Sequence, residues 1–178
     1  MLELAQALAK CNQEVFKGWV IAGVDVEISG KAEIYSNEIL VRNKRRSIIL
    51  VQGRSSDGKL KKQLKVILML PRQLGCDDTK DEELADKPSY EHIFSVAEVS
   101  EYLARVGDEN IIHRQPRPIV PGMLLLSWLQ KTAGIAALNW KVRFVQPVYS
   151  GETVSCCFQE QTITAYVNGA KVFIISKK

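Results

Sequence analysis

The chain has 178 residues, 46% of them hydrophobic and 25% charged, with a net charge of +4. Those are the proportions of an ordinary globular protein, and no apolar run reaches the ~18 residues that a membrane helix needs. Met1-Leu2-Glu3-Leu4 carries an acid where a secretory leader would carry basic residues, so the expected compartment is the cytoplasm.

Residues 2–13 place Leu2, Leu4, Ala5, Leu8 and Ala9 at helical spacing, which predicts a short amphipathic helix. Strand-like sequence begins near Trp19 and runs to Ile28. A turn is expected at Ser36-Asn37, then a strand over residues 38–46. Ser47-Ile48-Ile49-Leu50-Val51 either continues that strand or pairs with it. Residues 53–58 read as a polar loop. From Leu60, the residues Leu60, Lys62, Leu64, Val66, Leu68 and Leu70 share one face at period two. Residues 71–90 carry Pro71, Gly75, Pro88 and an acidic run from Asp77 to Asp86, and read as an exposed linker. The expected division is 1–70, 71–90 and 91–178.

In the second half, Ser95 three residues ahead of Glu98 is a capping box. Val96, Val99, Leu103 and Val106 form the stripe of the helix it opens, and Gly107 closes it. Arg114 to Pro121 contains three prolines and cannot be helical throughout. From Gly122 to residue 136 the sequence is apolar almost all round, as in a helix buried on most sides. Strands are expected over 140–145, 153–167 and 172–175, with turns at Ser150-Gly151 and at Asn168-Gly169, a strong hairpin signal. Ile34-Tyr35-Ser36-Asn37-Glu38 echoes Val148-Tyr149-Ser150-Gly151-Glu152, and Trp19 precedes the first copy much as Trp140 precedes the second. The echo implies two stacked copies of one unit.

The chemistry concentrates in Gly107-Asp108-Glu109-Asn110-Ile111-Ile112-His113 and the Pro121-Gly122-Met123-Leu124 that follows. An acid, an amide and an imidazole fall within seven residues, ahead of a helix that starts on a glycine. Asp108 and His113 are candidates to hold a water or move a proton. The Gly122 N–H, at a helix start, is a candidate donor to a developing oxyanion. Asn110 is read as support for the loop.

With His92 read as an isolated linker residue, no metal site is expected. Cys11, Cys76, Cys156 and Cys157 fit neither a zinc pattern nor a disulfide framework, and read as buried thiols in a reducing compartment. Residues 42–65 hold nine basic residues against Asp57. That charge suits an anionic partner. The absence of aromatic residues there argues against nucleic acid.

Gly107-Asp108-x-Asn110-x-x-His113, the start Ile119-Val120-Pro121-Gly122-Met123-Leu124, and Arg143-Phe144-x-x-Pro147-Val148-Tyr149-x-Gly151-Glu152 together resemble the MaoC-like family. Its members are (R)-specific enoyl-CoA hydratases and 3-hydroxyacyl dehydratases. The resemblance covers roughly 93–157. It implies an α+β fold, the double hot dog, in which an antiparallel sheet wraps a buried helix twice and the first half is degenerate, making room for an acyl tail. It implies Asp108 and His113 as the acid–base pair, Gly122 as the oxyanion donor, no cofactor, and an acyl-CoA or acyl-carrier-protein thioester as substrate.

The segment His113-x-x-x-Arg117-Pro118-Ile119-Val120-Pro121-Gly122 is instead similar to bacterial 3-hydroxyacyl-carrier-protein dehydratases. Those carry their acid on the helix, where this chain has Ser127. Arg114, Arg117 and Ser127 are the expected substrate contacts. The family's proline after the asparagine is Ile111 here. The alternatives are a hot-dog acyl-CoA thioesterase, which commonly needs a carboxylate on the buried helix, and a non-catalytic acyl-thioester binding module. The two halves would pair with each other, so a monomer suffices and a homo-oligomer is compatible.

Overall fold

Among the described residues, alternating apolar positions build nine antiparallel strands, and three short helices accompany the sheet they form. The structure is a computed structural model, and it describes residues 1–11, 13–71, 88–133 and 139–178. The first half runs α1 (Leu2–Ala9), β1 (Val20–Ile28), β2 (Ile34–Arg42), β3 (Arg46–Arg54) and β4 (Leu60–Met69). The second runs β5 (Tyr90–Ile93), α2 (Val96–Val106), α3 (Gly122–Thr132), β6 (Asn139–Phe144), β7 (Thr153–Gln159), β8 (Thr162–Val167) and β9 (Ala170–Lys177). All nine strands form one sheet in the order β2-β3-β4-β1-β6-β9-β8-β7-β5. The halves meet where β1 pairs with β6, with Val24 opposite Val142. This is the double hot-dog layout: a helix followed by four strands, twice, joined edge to edge.

At the seam the register of β1 slips between Ile21 and Gly23. A Cβ on Gly23 would come within 3.3 Å of the Val142 carbonyl oxygen, so the strands approach here because the residue has no side chain. Leu4 and Ala5 of α1 and Leu124, Leu125, Leu126 and Leu129 of α3 are buried in one core with Val24, Val26, Leu64, Val66, Val142 and Phe173. The α1 helix also touches α2, where Gln6 Nε2 donates to the Arg105 carbonyl at 3.0 Å. No described helix is long and apolar enough to cross a membrane.

Several expected elements are corrected. The helix expected over 2–13 ends at Ala9, and a 3-10 turn, Gln13–Phe16, follows it. Ser36 and Asn37 do not turn; they lie inside β2, opposite Gln52 and Val51. The hairpin closes later, at Asn43, whose side-chain oxygen accepts from the N–H groups of Arg45 and Arg46. Asn37 instead donates its amide to the Ala7 carbonyl at 2.9 Å, holding α1 on the sheet. The echo between 34–38 and 148–152 therefore falls on a strand in one half and a turn in the other; the repeat lies in the order of elements.

The strand expected over 153–167 is two strands, with Gln159 opposite Thr162 and Glu160 at φ 24° between them. Residues 90–93, expected as the end of a linker, form the edge strand β5 against β7. Val96, expected in the buried stripe of α2, is half exposed, and Tyr102 takes a buried place beside Val99 and Leu103. Cys11, Cys156 and Cys157 are buried. Cys76, the acidic run and most of the linker lie outside the described residues, as do Ile135 and Ala136 of the long helix expected to reach 136.

Candidate active site

Helix α2 stops at Gly107, which adopts the left-handed conformation at φ 74°. That reversal is easy only for glycine, and it turns the chain back so that Asp108 leaves the helix end. The Asp108 carboxylate accepts the Asn110 N–H at 2.9 Å. Asn110 in turn reaches into the first half. Its Oδ1 accepts the Gly18 N–H at 2.9 Å, and its Nδ2 donates to the Trp19 carbonyl at 2.8 Å. The loop is thereby fastened to the chain just ahead of β1.

A 3-10 turn, Ile111–His113, presents the imidazole. Nδ1 of His113 lies 2.6 Å from the Ile119 carbonyl oxygen. A carbonyl only accepts, so Nδ1 carries the hydrogen, and Nε2 of the neutral ring offers a lone pair. That Nε2 is 3.8 Å from Asp108 Oδ2. The gap is too long for a direct hydrogen bond and suits one water donating to both. Burial lowers the His113 pKa; the Asp108 carboxylate and the Ile119 carbonyl oppose it, and Arg114 adds to it. The ring is therefore neutral near pH 7. The His113 side chain is only 9% exposed, against 29% for Asp108.

Val120 pairs its N–H with the Val148 carbonyl, and Pro121 then stands at the N-cap of α3. As the first residue of that helix, Gly122 has an N–H with no acceptor inside it. The space a Cβ would fill at Gly122 is taken by the Phe144 ring, 3.0 Å away. Asp108, Asn110, His113 and Gly122 all line one cavity of about 770 Å³. Its remaining wall is mostly apolar and comes from both halves, including Leu8, Cys11, Phe16 and Trp19.

Three expected contacts do not line that cavity. Ser127 donates its hydroxyl back to the Met123 carbonyl of its own helix at 2.7 Å. Arg117 pairs with Glu152 at 2.6 Å and lies over the Tyr149 ring. Arg114 donates to the Asp108 carbonyl at 2.8 Å and borders a separate recess of about 390 Å³ behind His113. From the basic run, Arg45 does reach the large cavity; the cluster around it in sequence flagged the region but not the residue. His92, expected to stand isolated, sits on β5, stacks on Trp128 and meets the Glu98 carboxylate at 3.1 Å. Trp19 and Tyr102 also line the cavity, and the sequence offered for them only the signal of apolar spacing.

No family model and no curated protein matches the chain. Solved structures do. HtdX of Mycobacterium tuberculosis superposes with a TM-score of 0.74 at 14% identity, over 98% of this chain and 85% of its own. The fold is a double hot dog. A MaoC-like dehydratase from Phytophthora capsici gives 0.60 at 15% identity, covering 90% of this chain and 72% of its own. An acyl-ACP thioesterase from Bacteroides thetaiotaomicron gives 0.64 at 11% identity, covering 99% and 88%. Identities this low establish the fold, and the fold carries more than one chemistry.

Proposed function

We propose that this double hot dog is a hydro-lyase that adds water across, or removes it from, the C2–C3 bond of an acyl thioester. The observation that carries the reading is the 3.8 Å opening between His113 Nε2 and Asp108 Oδ2, on the same cavity as the free N–H of Gly122. A water in that opening gives one hydrogen to each acceptor and keeps a lone pair for C3. As it attacks, negative charge moves to the thioester oxygen, where the Gly122 N–H and the helix dipole receive it. The proton taken from the water goes to C2 from the same face. The atoms of one water are thus added across the double bond, and the reverse path removes them.

Helix α3 reads GMLLLSWLQKT and has no Asp or Glu. That argues against a thioesterase that uses a carboxylate on the buried helix. In this reading 1–70 is the half that shelters the acyl tail, 71–90 connects, and 91–178 carries the chemistry. The apolar wall at Leu8, Cys11, Phe16 and Trp19 takes the tail, with coenzyme A or a carrier protein on the thioester. The test is a hydration assay on enoyl-CoA esters from four carbons upward. Turnover that rises with chain length supports the reading. Hydrolysis to free thiol without hydration would replace it with the thioesterase.

A further inference from the structure

Helix α1 runs toward the candidate site, and its small residues face the cavity. Near its start, Glu3 accepts from Lys62 Nζ at 3.5 Å. Lys62 in turn pairs with Ile28 and Gly53, near the ends of β1 and β3. Past its last turn, the chain leads through Phe16 to Gly18 and Trp19, which Asn110 holds beside Asp108 and His113. Along that axis Ala5, Leu8 and Ala9 line the cavity. Ala5 and Ala9 are one turn apart on the same face of the helix. Ala9 is the nearer to the site, and Ala5 lies about 6 Å farther along the helix from it.

The sheet opposite shows where the cavity stops. Ile49 on β3 and Leu68 on β4 line it. Alternate residues of a strand share a face, so Val51 and Val66 come next on that face, moving away from the site. Both are fully buried in the core and lie beyond the cavity wall. On α1, Ala5 is the last residue toward the N-terminus to line it. Every side chain around this inner end is apolar, and the two alanines leave room that longer side chains would fill. With a volume of about 770 Å³, the cavity is large among small-molecule sites. We propose that Ala5 and Ala9 determine specificity for tail length: the room they leave against Ile49 and Leu68 takes the end of a hydrocarbon tail, and the substrate is a long-chain enoyl thioester whose tail reaches it. The inference rests on the hydration reading of the site.

The experiment is Ala5→Leu and Ala9→Leu in the full chain, each assayed for hydration of enoyl-CoA esters from four carbons upward. Each protein is read by its own ratio of kcat/KM on longer esters to kcat/KM on the four-carbon ester, so a loss of folded protein cancels. In the wild type that ratio should rise with chain length. In each variant it should fall about tenfold or more, relative to wild type, once the tail reaches the added leucine. The fall should begin at shorter tails in Ala9→Leu than in Ala5→Leu, by several carbons, because the two plugs stand about 6 Å apart. Melting temperatures should not drop, since each leucine enters open space. Should Ala5→Leu fail to fold, Ala5→Val makes the same test with a smaller plug.

Ratios unchanged from wild type in both variants overturn the inference and leave the hydratase reading standing. So does a cut-off at the same chain length in both, or one that comes earlier in Ala5→Leu. A wild type that hydrates short esters and shows no gain with longer tails also overturns it alone. A wild-type protein that hydrates no enoyl-CoA removes the reading and this inference together.

Discussion

Asn110→Ala tests how far the site depends on its fastening to the first half. The side chain makes two bonds across the chain, 2.9 Å from the Gly18 N–H and 2.8 Å to the Trp19 carbonyl. Each is worth about 0.5–1.5 kcal/mol net, and truncation also leaves two half-buried backbone groups unpaired. A total of about 2–3 kcal/mol follows. For a protein of this size 1 kcal/mol corresponds to about 2–4 °C, so the melting temperature should fall by about 5–10 °C. The loop that holds Asp108 and His113 then loses its register against the cavity, and a displacement near 1 Å lowers turnover about 10²-fold. Asn110→Asp should be no better. It keeps an acceptor for Gly18 but turns a carboxylate oxygen toward the Trp19 carbonyl. Thermal unfolding and enoyl-CoA kinetics on the same preparations decide it. A melting temperature within about 2 °C of wild type, with turnover intact, would show that the loop is held by something else.

Acidification should leave kcat/KM flat past the ordinary histidine value of about 6.5, because burial lowers the His113 pKa and the ring stays neutral. The same shift makes the unfolded chain bind a proton that the folded chain refuses, so stability falls as pH drops below about 6.5; His113→Gln should remove that part of the slope in a pH series of unfolding curves. Arg45→Glu, at the cavity wall, should raise KM for a CoA thioester about three- to tenfold and flatten its dependence on salt; a KM unmoved at low ionic strength would exclude Arg45 as a phosphate contact. Gly122→Ala puts a Cβ 3.0 Å from the Phe144 ring, so kcat/KM should drop about tenfold or more as the ring moves toward the thioester, while the melting temperature changes by only about 4 °C.

Local signals in the sequence mark both ends of α2 and one hairpin well. Ser95 does accept the Glu98 N–H, Gly107 does reverse the chain, and Asn168-Gly169 does close a hairpin with both residues at positive φ. These are contacts within three or four residues, set by the residues themselves. What escaped depends on partners far away in the chain. Ser36-Asn37 has turn chemistry, but pairing with β3 and the hold of Asn37 on α1 keep it extended. The Glu160-Gln161 turn has neither glycine nor asparagine to announce it.

The candidate site divides the same way. Gly107 to His113 and Pro121 to Gly122 were conspicuous in sequence, and Asp108, Asn110, His113 and Gly122 border one cavity. Arg117 looked free until Glu152, 35 residues on, was folded beside it. The Ser127 hydroxyl had a nearer partner than any substrate, the carbonyl one turn back. Trp19 and Tyr102 stood out only as apolar positions, a signal that any core residue gives.

The central claim is that His113 and Asp108 act together on one water. It is tested most directly by steady-state hydration of crotonyl-CoA and longer enoyl-CoA esters by wild type, His113→Ala, Asp108→Asn and the double variant. Wild type should turn over, each single change should lower kcat/KM by about 10²–10⁴, and the double should be little worse than either. Absence of hydration by wild type at every chain length, or near-full activity in His113→Ala, would contradict it.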